Sequence, residues 1–359
     1  MSKSFAAALA STSKRRYRNR TPGASRLFFL IVCAQIQTAS VVRAQTPSEF
    51  FSGKTIRIIN WSEAGGEYDL HGRLIAKYLG QFIPGAPNVV QQNMPGGGGI
   101  TAANYLYNAA PRDGATLAVV NNSLPLFQAL GGDTVRYDAA KLNWIGAISQ
   151  IVDLLTVWHS APVKSFHDLL TSEMIMGTTG KGNTSYMTPV AMNALLGTKI
   201  KVLIGYAGGG DVNLAIERGE IMGRLNTWSG MKATKPEWIA DNKINILVQS
   251  GLDSMRELKG VPLLVDLAKN EDDRAIFRIF GATGALSRPL VAPPDVPGDR
   301  LAALDTAFAA MVKDPRFNAD ADKLQIDVRP IYQPRMRELA DGILQTAKPL
   351  IDRLKRIIE

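Results

Sequence analysis

The sequence predicts an α/β protein in which mostly parallel sheets are flanked by helices. Three observations support this prediction: strand-like segments alternate with helix-like segments, glycine-rich or polar loops separate them, and the pattern recurs in both halves of the chain. In sheets of this kind, ligands bind at the carboxyl ends of the strands. With 359 residues and 46% apolar content, the chain is long enough for two domains.

Residues 55–82 are predicted to form the first strand, loop and helix. The loop at 61–68 contains the pair Gly65 and Gly66, which allows a ligand to approach the backbone closely. The N–H groups that open the following helix have no partner within the helix, so the loop suits an anion. If this loop stood alone, an ordinary tight turn would be the alternative interpretation. Similar loops follow other predicted strands, and this recurrence favours a binding site.

Comparable loops follow the other predicted strands. The polar triplet 121–123 consists entirely of hydrogen-bonding side chains. The predicted strands and the loops that follow them are 88–92 with 94–99, 116–120 with 121–123, 174–178 with 179–185, and 201–206 with 208–211. Further strands are predicted at 221–226 and 244–249. The binding loops are therefore expected at one edge of each sheet.

The C-terminal part begins with a proline-rich connector at 287–299. Two helices are expected after it, each with an apolar stripe, and Pro349 should end or kink the second one. We interpret these stripes as core packing rather than as part of a functional site.

The N-terminus has the three-part plan of a secretory signal. Eight basic residues and no acidic residue precede position 45, an apolar run spans 27–34, and small residues flank a cleavage site after Ala44. A basic disordered arm is the alternative, and it accounts for less of the pattern. Cys33 leaves a lipid anchor open as a variant. We therefore expect an exported, periplasmic protein without its first 44 residues.

The expected mature chain excludes several classes of function. It contains 33 basic and 32 acidic residues, so its neutral balance argues against nucleic acid as a partner. It contains no cysteine, which excludes disulfides, thiol nucleophiles and thiolate metal sites. No later segment is long and apolar enough to cross a membrane.

Motifs for catalysis are weak or absent. Residues 97–102 match a dinucleotide fingerprint as a string, but the next strand ends in Asn121 rather than in an acid that would bind a ribose. His71, His159 and His167 show no metal-binding spacing, and no nucleophile elbow occurs. We predict no enzyme activity, no catalytic residue, no metal and no cofactor.

Six short motifs occur in order along the chain, and together they are specific. They are G-G-x-x-D at 65–69, N-x-P-G-x-G-G at 93–99, A-P-x-D-G at 110–114, G-x-x-G-x-G-x-T at 177–184, Y-x-G-G at 206–209 and A-P-P-x-V-P at 292–297. With these motifs the chain resembles the Bug, or TctC-like, receptors of tripartite tricarboxylate transporters. The resemblance covers nearly all of the expected mature chain.

The resemblance implies a two-lobed fold like that of type II periplasmic binding proteins, each lobe with a mostly parallel sheet flanked by helices. We place a signal peptide at 1–44, a discontinuous first lobe at 45–147 and 284–359, and a second lobe at 148–283. Such a protein, a monomer, captures a small organic solute, here a carboxylate or related amide, and delivers it to membrane permease subunits. The lobes close on the ligand by hinge motion.

The family holds its ligand mainly through backbone N–H groups of the loops and through bridging waters. Carried over by position, the first-lobe binding residues are Ser62, Glu63, Gly65, Gly66, Glu67, Asp69, Gly97, Gly98, Gly99, Ile100, Asn121, Asn122 and Ser123. The second-lobe binding residues are Thr178, Thr179, Asn183, Thr184, Ser185, Tyr206, Gly209, Asp211 and Asn226.

The first loop departs from the family pattern. Glu63 and Glu67 stand where relatives usually have proline and glycine, and Asn226 stands where many have aspartate. Two interpretations of the glutamates remain open: both point to solvent, or one of them recognises a donor group of the ligand. Two other functions also remain as alternatives, a periplasmic sensor for a signalling kinase and, less well supported, a dinucleotide-binding oxidoreductase.

Overall fold

Eleven strands form two sheets within residues 45–359, the part of the chain that the computed structural model describes. The strands are β1 Thr55–Asn60, β2 Asn88–Asn93, β3 Thr116–Val119, β4 Asn143–Ala147, β5 Asp153–Trp158, β6 Met174–Thr178, β7 Ile200–Ile204, β8 Gly223–Thr227, β9 Ile244–Ser250, β10 Leu290–Ala292 and β11 Ile331–Tyr332. The predicted leader, its cleavage site and Cys33 lie outside the described residues.

Helices cover both sheets. They are α1 Pro47–Phe51, α2 Glu67–Leu79, α3 Ile100–Asn108, α4 Leu124–Ala129, α5 Asp168–Thr171, α6 Thr184–Leu196, α7 Gly209–Glu217, α8 Trp228–Thr234, α9 Pro236–Ala240, α10 Glu271–Ala285, α11 Gly298–Met311, α12 Pro315–Lys323, α13 Gln333–Leu344 and α14 Lys348–Ile358. Short 3₁₀ helices lie at 97–99, 139–141, 256–258 and 264–267. None of the helices in residues 45–359 has the length and apolar character needed to cross a bilayer.

The first sheet has the order β11-β4-β10-β3-β1-β2, and the second has the order β7-β6-β8-β5-β9. In the first sheet β1 to β4 run in one direction, while β10 and β11 are antiparallel to them. In the second sheet only β5 runs against the other four strands. The α/β fold class is confirmed, and both sheets are mixed with one dominant strand direction.

Strand β1 shows why the first sheet is covered on both faces. Ile56 and Ile58 are fully buried in a core shared with Leu74 of α2 and Phe308 of α11. Ile59 points the other way, into the core that includes residues of α3 and α13. Because successive strand residues face opposite sides, an apolar residue at adjacent positions requires helices on both faces of the sheet.

The C-terminal helices differ in number from the prediction. Four helices follow the connector instead of two, and the second apolar stripe is divided between α13 and α14. Pro349 lies in the first turn of α14, where its missing N–H costs nothing, so it starts a helix rather than kinking one. The stripe residues Leu304, Phe308 and Met336 are buried, in agreement with a packing role.

The strands of each sheet come from the chain segments that were assigned to each lobe. The first sheet is built from segments within 55–147 and 290–332, and the second from segments within 153–250. The predicted boundary at 147–148 falls just after β4, and the boundary at 283–284 falls near the end of α10. The lobe boundaries themselves stay a prediction.

Candidate functional site

The carboxyl ends of the parallel strands carry the predicted loops. In the first sheet, β1 lies between β2 and β3, and the loops after these strands are 61–66, 94–99 and 120–123. In the second sheet β6 lies between β7 and β8, and the corresponding segments are 179–183, 205–208 and the start of α8. Strand order reverses at β1 and at β6, which is where open α/β sheets bind ligands.

Loops of the two sheets lie against each other. A Cβ placed on Gly98 would lie 3.7 Å from Cα of Gly182, and one placed on Gly208 would lie 3.4 Å from Oε2 of Glu63. The glycine loop after β2 therefore contacts the loop after β6, and the loop after β1 contacts the start of α7. The structure brings the predicted binding segments of both sheets together.

Backbone conformation explains the glycines of the second loop. Gly97, Gly98 and Gly99 have φ of 56°, 66° and 100°, a region that side chains with a Cβ rarely adopt. At Gly99 a Cβ would also come within 2.8 Å of the Cβ of Asn121. Ile100, the first residue of α3, is buried beneath this loop.

Asp69 holds the first loop in place. Its Oδ2 accepts hydrogen bonds from the Gly65 N–H at 2.9 Å and Arg73 Nε at 2.8 Å. Its Oδ1 accepts from Gln91 Nε2 at 2.6 Å and Asn93 Nδ2 at 2.8 Å. Burial opposes the charge, but these hydrogen bonds keep the pKa of Asp69 below its usual value. With four donors bound, the carboxylate positions the loop instead of contacting a ligand.

Other polar residues of the first sheet also support the loops. Asn121 donates to the carbonyl of Gly98 at 2.7 Å and accepts from the Ser123 N–H at 2.9 Å, which occupies both ends of its amide. The Ser62 hydroxyl donates to Asn60 Oδ1 at 3.0 Å. Asn122 is buried beside this group. These contacts fix the backbone that a ligand would meet.

The loop after β6 has its own hydrogen-bond network. Asn183 donates to Thr179 Oγ1 at 3.1 Å, and the hydroxyls of Thr178 and Ser185 are hydrogen-bonded to each other. The Thr184 hydroxyl donates to Oδ2 of Asp153, the first residue of β5, at 3.2 Å. All of these predicted residues lie together at the start of α6.

The remaining predicted residues of the second sheet differ in their positions. The Tyr206 ring packs against Gly177, and Gly209 is the first residue of α7. Asp211 is exposed, and no hydrogen bond to its side chain occurs in residues 45–359. Asn226 lies half-buried on β8, near the carboxyl end of the strand.

The structure decides the orientation of Glu67. Its carboxylate accepts from Thr227 Oγ1 at 2.8 Å and from Ser229 Oγ at 3.0 Å, and it forms an ion pair with Arg288. The interpretation that both glutamates point to solvent is therefore wrong for Glu67. Glu63 is exposed, but its carboxylate approaches Gly208.

Arg288 is the main element that sequence reasoning missed. Its side chain is 1% exposed, and Nε and Nη1 have no hydrogen-bond partner among the described residues. The guanidinium lies 5.4 Å from the centroid of the Tyr68 ring. The available signal was a single charge inside the predicted connector, two residues before the apolar strand β10, since an arginine at such a place is rarely buried without a partner.

Burial also shifts the ionisable groups around Arg288. Burial raises the pKa of Asp153 to about 6, although the Thr184 hydroxyl and the positive charge of Arg288 oppose the shift. Burial, together with the Arg288 charge, holds the pKa of His71 well below its usual value. His71 is therefore a neutral, packed histidine whose Nδ1 lies 2.8 Å from the Glu67 carbonyl oxygen.

Arg224 is the second missed residue. Its Nη1 donates to the Gly209 carbonyl and to Asn213 Oδ1, both at 2.7 Å, while its buried Nε has no partner among the described residues. Burial lowers its pKa to about 10, although the negative charge of Glu67 opposes the shift, so Arg224 is charged at neutral pH. No carboxylate of residues 45–359 lies within 4.0 Å of this guanidinium. Its charge is thus available to an anion at the start of α7.

In the described part of the chain, no three His, Cys, Asp or Glu side chains are placed to hold a metal ion. A cavity of about 1070 Å³ lies elsewhere, between the segments 150–152, 252–257 and 327–335, and no predicted site residue lines it. The dinucleotide-like string 97–102 forms the turn into α3, and the following strand leads into Asn121 rather than into an acid.

Two mixed α/β sheets flanked by helices, with loops that face each other, are the fold of periplasmic binding proteins. The sequence profile of the tripartite tricarboxylate transporter family receptor, TctC, matches residues 73–356. The chain belongs to this family, whose members are periplasmic substrate-binding receptors and not enzymes. The oxidoreductase alternative is therefore wrong.

Several known proteins are similar to this chain. The UPF0065 protein in the gbd 5′ region of Cupriavidus necator is 23% identical over 321 residues, which cover 87% of this chain and 90% of that protein. An R. palustris protein solved with adipate has a TM-score of 0.65 at 18% identity and covers 85% of this chain and 97% of that one. MatC from Rhodopseudomonas palustris with bound malate has a TM-score of 0.62 at 20% identity, with coverages of 85% and 99%. The periplasmic binding protein BugD has a TM-score of 0.65 at 15% identity, with coverages of 84% and 97%.

Proposed function

We propose that the protein captures a small organic carboxylate or a related amide acid in the periplasm and delivers it to a tripartite tricarboxylate permease. The observation that carries this proposal is Arg224, a charged guanidinium without a carboxylate partner in residues 45–359, placed at the start of α7. A carboxylate there would gain a charge-assisted hydrogen bond and the positive end of the helix dipole.

The glycine loops supply the second part of the proposed site. At 97–99 and 208–209 the backbone can be approached closely, and the first N–H groups of α3 and α7 have no partner within their helices. Adipate and malate, named for two proteins of the same fold, are small carboxylates. Both observations favour a small ligand that carries a carboxylate group.

The proposal includes the processing and motion of the receptor. We expect export with cleavage after Ala44, a mature monomer, and lobes of 45–147 with 284–359 and of 148–283 that close on the solute. Intact mass of the exported protein should begin at Gln45. Small-angle scattering should show a more compact monomer when a confirmed solute is added, because two hinged lobes close around a ligand.

A thermal-shift screen of the chain 45–359 tests the function. It should include monocarboxylates, dicarboxylates, amide acids, amines and neutral amides. A true ligand at 100 times its dissociation constant stabilises by about 2.7 kcal/mol, which shifts the melting temperature of a protein of this size by a few degrees. A carboxylate or amide acid should be the class that stabilises. Stabilisation by amines alone, or by none of these classes, would contradict the proposal.

A further inference from the structure

The carboxylate of Glu67 is bound by groups from separate elements of the fold. It accepts hydrogen bonds from Thr227 and Ser229 and pairs with Arg288. A Cβ at position 230 would collide with this carboxylate, so Gly230 leaves the space that the carboxylate fills. We name Thr227, Ser229, Gly230 and Arg288 the Glu67 subsite.

The hydrogen bonds of Thr227 show that the Glu67 subsite is built for an anion. The hydroxyl oxygen accepts from the Gly230 N–H at 2.8 Å and from Arg288 Nη2 at 2.9 Å. Its single proton is therefore left to donate to Glu67. Ser229 and Arg288 also donate to the same carboxylate. A group that accepts at every contact and carries negative charge satisfies this arrangement, and a carboxylate is such a group.

Glu67 reaches this subsite from the other sheet. It opens α2, directly after β1 of the first sheet, whereas Thr227 ends β8 of the second sheet and Ser229 lies in α8. The carboxylate thus joins the two sheets at the place where their binding loops meet. In a binding protein of this class, a ligand anion is the group expected to make such a bridge.

The negative charges near Arg288 disfavour the binding of another anion. Arg288 pairs with Glu67, and it also interacts electrostatically with the buried Asp153. One guanidinium therefore faces two carboxylates, Glu67 in direct contact and Asp153 at longer range, in a largely buried region where like charges repel strongly. Arg224 forms hydrogen bonds only with the neutral oxygens of Gly209 and Asn213, and the Glu67 charge acts on it without a direct contact.

We propose that Glu67 is an internal substitute for one ligand carboxylate, so that this receptor selects solutes with a single anionic group. The occupation of the subsite by an anion stands on the contacts alone, while the selectivity rests on the proposed function. A monocarboxylate pairs with Arg224. The second carboxylate of a dicarboxylate meets the charges of Glu67 and Asp153 and is rejected.

Replacement of Glu67 by glycine tests the subsite without any knowledge of the solute. Formate is the probe, formamide is its neutral counterpart, and Glu67→Gly/Arg288→Met is the matched control without the guanidinium. The melting temperature of Glu67→Gly should rise with formate concentration by several degrees more than that of the wild type. Formamide, and formate added to the double variant, should give no such rise.

Two results would overturn the subsite. One is an equal formate effect on the wild type, on Glu67→Gly and on the double variant. The other is the failure of both Glu67→Gly and Glu67→Ala to fold even in formate, because an anion subsite should then have been refilled from solution.

Calorimetry with a monocarboxylate and the dicarboxylate of equal chain length tests the selectivity. The wild type should bind the monocarboxylate at least tenfold more tightly, and Glu67→Gly should change this ratio at least tenfold in favour of the dicarboxylate. An unchanged ratio overturns the selectivity. The two proposals can fail separately. If formate stabilises Glu67→Gly but no carboxylate binds to the wild type, the proposed function is refuted and the Glu67 subsite stands. If carboxylates bind to the wild type but formate does not stabilise Glu67→Gly, the Glu67 subsite is refuted and the proposed function stands.

Discussion

Substitution of Asp153 by asparagine should make the protein more stable at neutral and alkaline pH. Burial raises the pKa of this carboxyl to about 6, above its usual value of 3.8. Between these two values the folded protein holds a proton that the unfolded chain has lost, so the free energy of unfolding falls as the pH rises through this window. Asparagine carries no charge at any pH and keeps an oxygen for the Thr184 hydroxyl.

The size of the effect follows from the two pKa values. A pKa of about 6 against 3.8 corresponds to about 3 kcal/mol once the pH is well above 6. At pH 4.5 this destabilisation is only about 1 kcal/mol, because the Asp153 carboxyl is still protonated in the folded protein. The stability of Asp153→Asn relative to the wild type should therefore rise by about 2 kcal/mol between pH 4.5 and pH 8.

Urea unfolding followed by far-UV circular dichroism at pH 4.5, 6 and 8 measures this difference. Asp272→Asn, which replaces an exposed aspartate in the first turn of α10, is the matched control for the loss of a carboxylate outside the buried region. The reasoning would be refuted by a difference for Asp153→Asn that stays constant, or that falls, as the pH rises.

Two further predictions concern the loops. Gly98→Val should abolish solute binding in calorimetry while the protein stays folded, because φ is 66° there and Gly182 lies close by. Gly342→Ala, which lies in α13 with open space around it, is the control that should keep its affinity. Asp69→Asn should lower the free energy of unfolding by about 2 to 4 kcal/mol, because an NH₂ group would face the donors of Gly65 and Arg73. Because hydrogen bonds hold the pKa of Asp69 below its usual value, this loss should be complete above pH 5 and should shrink as the pH falls through the acidic range; a loss that grows towards low pH would contradict the role of Asp69.

The order of strands and loops was predictable because its signals are local. Glycine, proline and asparagine mark the loops after β1, β2, β3, β6 and β7, and apolar runs mark the strands between them. The same local reasoning does not distinguish single positions within a loop. The residue of the first loop that needs a positive φ is Gly65, at 84°, and its neighbour Gly66 is extended.

The charges of the site were not predictable because they depend on contacts between distant parts of the chain. Glu67 meets Thr227 and Arg288, which lie 160 or more residues away in sequence, and no periodic pattern records such a pair. The position of Arg224 was not predictable for the same reason, because its place on the strand does not show that it lies beside Gly209. Sequence reasoning therefore assigned anion binding to backbone loops alone, whereas the structure also shows two guanidinium groups beside these loops.

Calorimetric titration of the wild type and Arg224→Met with the best small carboxylate tests the central claim most directly. Arg218→Met, at the exposed end of α7, is the matched control for the loss of an arginine. Circular dichroism establishes that all three proteins are folded. The account predicts that Arg224→Met weakens binding at least tenfold, about 1.4 kcal/mol, while Arg218→Met does not. Equal affinity in wild type and Arg224→Met, or no binding of any small carboxylate to the wild type, would contradict it.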